Sequence, residues 1–163
     1  MQIYNLKNKL EYLDEVAKLE YDEWADNKEE NRKCRIERKK EKIYNAFNDE
    51  FFCKLILVDN NKLIGFISIF PKDCEEEKEL TPWYSTMYVK KEYRHHGYSR
   101  VLNKAILKEA KSRKISVLYL KTNFINSQIH CLLLQMIKIE NSENILVFVT
   151  QLSILVWYNK VTT

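Results

Sequence analysis

A mixed α/β domain, with a mostly antiparallel sheet, one parallel strand pair and flanking helices, is predicted for this 163-residue chain from three features. Two helical patterns come first, two strand-like runs joined by a tight turn come next, and a strand, a helix and a strand follow in succession. A strand-helix-strand crossover joins parallel strands, whereas a tight hairpin joins antiparallel ones, so the class is mixed. The length suits one core, and the whole of 1–163 is read as a single domain.

The elements are justified in chain order. Leu10, Leu13, Val16, Ala17, Tyr21 and Trp24 recur at steps of three and four, which predicts a first helix over 9–24. A more polar second helix is predicted over 30–48, with apolar contacts at Ile36, Ile43, Tyr44 and Phe47. Its basic run, "RKCRIERKKEK", is interrupted by Glu37 and Glu41 and contains no aromatic residue, which marks a solvated helix face rather than a nucleic-acid surface. "FFCKLILVD" and "KLIGFISIF" form a hairpin, because Asn60 and Asn61 between them tolerate the positive φ of a tight turn. Gly65 inside the second of these strands marks a bulge or a close backbone approach. After the acidic loop "KDCEEEKE" a strand is predicted over 83–90 and a helix over 99–113, with Val101, Leu102, Ala105, Ile106 and Ala110 on one face. A buried strand follows over 115–121. Residues 123–163 differ sharply in character, with four charged residues against 46 in the first 122. There "SQIHCLLLQMI" is predicted as a short buried helix, and "NILVFVT" and "SILVWYNK" as closing strands around a turn near Gln151.

Composition narrows the function classes. A formal charge of +4 suits anionic small molecules and falls short of a nucleic-acid-binding composition. Cys34, Cys53, Cys74 and Cys131 form no C-x-x-C pair, so reduced thiols and no metal site are expected. The first residues offer no apolar signal core, and no run approaches the length of a membrane span, so a cytoplasmic protein is expected.

The chemistry concentrates in "YRHHGYS", residues 93–99, where a strand gives way to a helix. Such a junction points several free backbone N–H groups and the positive end of a helix dipole at one place, which favours a phosphate. Gly97 allows the close approach, and Arg94 and Arg100 can add charge-assisted hydrogen bonds. A glycine at a helix start also serves purely structural caps, so both readings stand at this point.

Residues 79–122 resemble the GCN5-related N-acetyltransferase (GNAT) family. Its signature is Arg or Gln, two residues, Gly, one residue, then Gly or Ala. Arg94, His95, His96, Gly97, Tyr98 and Ser99 occupy it, with Ser99 in the final small position. Upstream, a short strand near Ile3, two helices and the hairpin follow the order of that fold, and "EWAD" and "ELTPW" look similar to one bacterial branch. The resemblance implies acetyl-CoA in a groove where the parallel strands splay apart. Pantetheine would run along "STMYV", Met87 to Val89 with Tyr88 between them, on the backbone groups of Met87 and Val89. The pyrophosphate would sit on the amides from His95 to Ser99, flanked by Arg94 and Arg100, and Asn123 or Asn126 would contact the cofactor further on.

The acceptor implied is a primary amine of a small molecule or protein, acetylated by direct attack, with no metal, nucleic acid or membrane involved. A second subunit could pair with an exposed tail strand. The amine must lose a proton, and Glu79 is the candidate base; its alternative role is a solvated charge closing the acidic loop. His95 and His96 are assigned to backbone binding rather than to catalysis. One departure matters. The family branch places a tyrosine after the fifth strand to protonate the departing thiolate, and residues 123–145 contain neither tyrosine nor glycine. Three readings stay open: an enzyme using another acid or water, a catalytically impaired acyl-CoA-binding or protein-interaction module, or a changed reading frame after about Thr122.

Overall fold

The structure, a computed structural model, describes residues 1–25, 31–73, 79–121, 146–151 and 154–155. Strand β1 (Gln2–Asn5) leads through two 3-10 turns into helix α1 (Leu13–Trp24), and helix α2 (Arg32–Ala46) follows. The hairpin is β2 (Cys53–Asp59) and β3 (Lys62–Phe70), with Asn60 and Asn61 at φ 46° and 59° as the turn requires. Then come β4 (Trp83–Val89), a 3-10 turn, α3 (Tyr98–Ser112), β5 (Val117–Lys121), β6 (Leu146–Gln151) and β7 (Ile154–Leu155).

All seven strands form one sheet in chain order. β1 to β4 pair antiparallel, β4 and β5 pair parallel, and β6 and β7 pair antiparallel. β6 and β7 fall on the two runs that the tail pattern predicts as closing strands, β7 over two residues, with 156–160 outside the described residues. β6 also pairs parallel to β5, a second parallel pair that the pattern does not foresee. The helix predicted at "SQIHCLLLQMI" lies outside the described residues.

Strand alternation divides the core between the sheet's two faces. On one face Leu13, Val16 and Ala17 of α1 and Ile43 of α2 share a cluster with Ile56, Val58, Phe66, Phe70 and Tyr88. On the other, Leu102, Ile106, Leu107 and Ala110 of α3 share one with Leu55, Leu57, Ile67, Ile69, Tyr84 and Leu118. The flanking-helix arrangement thus follows from apolar stripes that need two separate surfaces to cover.

Two local expectations are corrected. α1 begins at Leu13 rather than near residue 9, because Lys9 at φ −144°, ψ 56° breaks the helical path, and Leu10 is left 46% exposed. Tyr44 is 54% exposed, turned from the core and set edge-on against Phe47. The basic run of α2 is largely exposed, as the solvated-face reading expects, and three of its cations reach carboxylates of α1: Arg32 to Asp22 at 2.7 Å, Lys39 to Glu20 at 3.4 Å and Lys40 to Asp14 at 2.5 Å.

Candidate active site

β4 and β5 meet at a single register pair, Trp83 with Tyr119, where the Tyr119 N–H donates to the Pro82 carbonyl at 3.0 Å. The Trp83 and Tyr119 rings lie 5.7 Å apart at this fork, and the Trp83 indole N–H is held by the Leu80 carbonyl at 2.7 Å. Beyond Trp83, β4 has no further register partner in β5 among the described residues. The strands part there, as the splayed pair predicts, and leave the β4 edge from Tyr84 to Val89 without a register partner on that side among the described residues.

A bulge shapes that edge. Ser85 pairs with Ser68 and Tyr88 with Phe66, so Thr86 and Met87 together stand opposite Ile67 alone. Thr86 occupies φ 38°, a region that β-branched residues avoid. Below it, a Cβ on Gly65 would lie 2.4 Å from the Tyr88 carbonyl oxygen and 3.3 Å from Leu102 Cδ1. Both readings of Gly65 therefore hold, since the β2 to β3 register also shifts beside it, between Leu57 and Val58. Only a residue without a side chain lets β4 and α3 close onto β3 here.

The chain leaves β4 through the turn Lys91–Tyr93 and enters α3 through Gly97, at φ 80°. His95 also has positive φ, 66°, so the backbone turns twice within three residues. No side chain caps the helix start, and Arg100 and Val101 are the first amides bonded back, both to the Gly97 carbonyl. The N–H groups of His95 to Ser99 thus have no backbone acceptor among the described residues. The space before the missing Gly97 Cβ is open. Free donors, an open approach and a helix start make a cradle suited to a phosphate, while Gly97 at positive φ also serves as the N-cap of α3, so both readings of this glycine stand.

The side chains around the cradle take distinct places. Arg94 turns back onto the fold: its Nε donates to the Val89 carbonyl at 3.0 Å, its guanidinium lies 5.7 Å from the Tyr88 ring centroid, and Glu23 of α1 is 3.8 Å away. It braces the end of β4 against α1. The His96 ring bonds the Arg94 carbonyl at 2.7 Å and stacks on Tyr98. His95 and Arg100 are exposed. Met87 packs towards the α3 cluster, within 3.5 Å of the Tyr84 hydroxyl, which also donates to Asn103 Oδ1. Burial pushes the Tyr84 phenol far above its ordinary range, so it is a poor proton donor. Tyr88 points to the opposite face, stacked on Phe66 and edge-on to Trp24, so it brings only its backbone to the β4 edge.

Glu79 is exposed and makes no hydrogen bond or ion pair to another described residue. A different carboxylate reaches β4: Asp73 accepts from Ser85 Oγ at 2.6 Å. Asn123 and Asn126 lie outside the described residues. On the α1 face of the sheet a polar row joins Glu20, Lys54, Ser68 and Thr86, with both Glu20 and Lys54 buried. Pattern reading missed this row, although three signals mark it. Glu20 interrupts the inward stripe of α1, Lys54 interrupts an apolar strand, and the consecutive Ser85 and Thr86 break the alternation of "WYSTMYV".

Among the described residues no helix is long and apolar enough to cross a membrane. Known proteins place this architecture. The model of the acetyltransferase (GNAT) family matches residues 13–130. A crystal structure of an aminoglycoside 6'-N-acetyltransferase from Acinetobacter haemolyticus superposes with a TM-score of 0.58 at 13% identity, covering 100% of both chains. An acetyltransferase structure from Clostridium acetobutylicum, with acetyl-CoA, gives 0.57 at 14% identity over 81% of this chain and 87% of that one. The ribosomal-protein-alanine N-acetyltransferase of Brucella melitensis gives 0.53 at 20% identity over 71% and 70%. No curated protein matches the sequence. With the family model matching residues 13–130, well over half of its length, this chain belongs to the GNAT family of acetyltransferases. That membership brings with it acyl-CoA-dependent acyl transfer as the class of reaction.

Proposed function

We propose that the protein transfers an acetyl group from acetyl-CoA to a primary amine of a small molecule or protein. The observation that carries the reading is one continuous path, from the fork of β4 and β5, along the β4 edge, to the uncapped amides at the start of α3. Pantetheine runs along the backbone of Met87 and Val89, and the pyrophosphate rests on the amides from His95 to Ser99, with Arg100 beside them. Arg94 serves by shaping the turn, since its guanidinium is engaged with Val89, Tyr88 and Glu23.

In the reaction the neutral amine nitrogen attacks the thioester carbonyl carbon, the C–S bond breaks, and the CoA thiolate leaves and takes up a proton. Strand amides near Met87 to Val89 stabilise the oxyanion, and holding both reactants in one groove supplies much of the rate. Glu79 receives the amine's proton directly or through water. The cytoplasm, where acetyl-CoA and reduced thiols coexist, is the proposed compartment. Calorimetry with acetyl-CoA, followed by free-thiol release over a panel of amines, tests the reading. Binding with thiol release supports the enzyme. Binding without release across the panel supports the non-catalytic module, and the absence of any binding at millimolar ligand rejects both.

A further inference from the structure

Lys54 has no task in the chemistry above, yet its side chain is fully buried beneath α1. It is ion-paired with Glu20, and its Nζ lies 3.3 Å from both Ser68 Oγ and Thr86 Oγ1. The Ser68 and Thr86 hydroxyls bond each other, and Ser68 Oγ donates to the Ser85 carbonyl at 3.3 Å. This row crosses β2, β3 and β4 and ends on the residue at which β4 bulges. A β-branched residue at φ 38° persists only where its surroundings over-determine it. The hydroxyl is the handle by which Thr86 is held.

We infer that Lys54, anchored by Glu20, is a positioning residue for acyl transfer. With Ser68 it holds the Thr86 hydroxyl, maintains the bulge, and so sets the direction in which the β4 edge from Met87 to Val89 faces the groove. The inference rests on the reading that this edge receives the thioester. It assigns a role to a pair, Glu20 of α1 and Lys54 of β2, that meets on one face of the sheet and acts on the edge of β4.

Three variants at one position test it. Thr86→Val keeps the branched shape and loses the hydroxyl, Thr86→Ser keeps the hydroxyl, and Thr86→Gly loses it but adopts positive φ without steric cost. The expected result is a fall of about tenfold or more in kcat for Thr86→Val, with a weaker acetyl-CoA affinity as the Met87 to Val89 edge turns, and kcat within about threefold of wild type for the other two. Unchanged kcat in Thr86→Val overturns the inference, and so does an equal loss in Thr86→Val and Thr86→Gly. Backbone chemical shifts of Tyr88 and Val89, beyond the direct neighbours of the substitution and recorded without substrate, give a readout independent of turnover: they should move in Thr86→Val and stay in place in Thr86→Ser. If wild-type protein neither binds acetyl-CoA nor releases thiol, the functional reading fails by itself. The shifts then decide the positioning claim, which unchanged values in Thr86→Val overturn. Should Thr86→Val not fold, Ser68→Ala, which cuts the row at its middle, is read on the same measurements.

Discussion

The two glycines of the chain both stand towards the α3 end of the proposed path, Gly65 opposite Val89 and Gly97 at the helix start, and their substitutions should fail in different ways. At Gly65 an added Cβ meets the Tyr88 carbonyl at 2.4 Å, and backbone must move to make room. Gly65→Ala is expected to cost on the order of 1–3 kcal/mol, read as a lower denaturation midpoint. At Gly97 an added side chain meets no protein atom but must accept φ 80° and intrude on the open cradle. Gly97→Val is therefore expected to weaken acetyl-CoA binding by about tenfold in calorimetry, while the core around Gly65 stays intact. Cysteine reactivity separates as cleanly. Burial pushes the Cys53 thiol up to about 12, whereas Cys34 is exposed on α2. Alkylation of the native protein at pH 8, mapped by mass spectrometry, should label Cys34 and spare Cys53 until denaturant is added.

At the scale of elements, the helix pair and the strand fork show what patterning reveals and what it hides. The hairpin was legible because Asn60 and Asn61 interrupt two apolar runs at the one place a tight turn fits. The cradle was legible because a strand, a glycine and a helix adjoin within a few residues of sequence. The start of α1 was not, since Leu10 keeps the apolar spacing of the helix although Leu10–Tyr12 winds as a 3-10 turn, a difference that side-chain pattern cannot register. Nor did the interleaved charges of α2 reveal their partners, because Asp14, Glu20 and Asp22 become neighbours only once the helices pack. The exposed pairs among these should matter little: Lys40→Ala is expected to leave the melting temperature nearly unchanged, and any difference should vanish in 1 M salt. Glu20 is different. Burial works against its charge, but the Lys54 and Lys39 ammonium groups more than offset this and hold its carboxyl below the ordinary value of 4.5.

For the whole molecule, that offset sets an acid limb of stability. A depressed carboxyl contributes fully above the unfolded value of 4.5 and loses its contribution as pH falls through the lower folded value. Stability measured by urea denaturation should therefore drop as pH falls below 4.5, and Glu20→Gln should flatten that limb while lowering stability at neutral pH. The sheet's first five strands follow the predicted order, yet the parallel β5 to β6 pairing was hidden because pairing direction depends on the path of residues 122–145, not on the apolar run of the strand itself. The Glu20 and Lys54 row has one more consequence, which lies outside the native state. A sheet slipped by one residue would turn Lys54 into the apolar layer beneath α3 and leave Glu20 of α1 facing the sheet without its partner. A slip by two would keep the faces but separate Lys54 from Ser68 and Thr86. Apolar strands such as β2 and β3 match many alignments almost equally well, and one buried cation with three fixed partners matches one. The row thus acts as a key for strand register, raising the energy of competing alignments more than it lowers that of the native one.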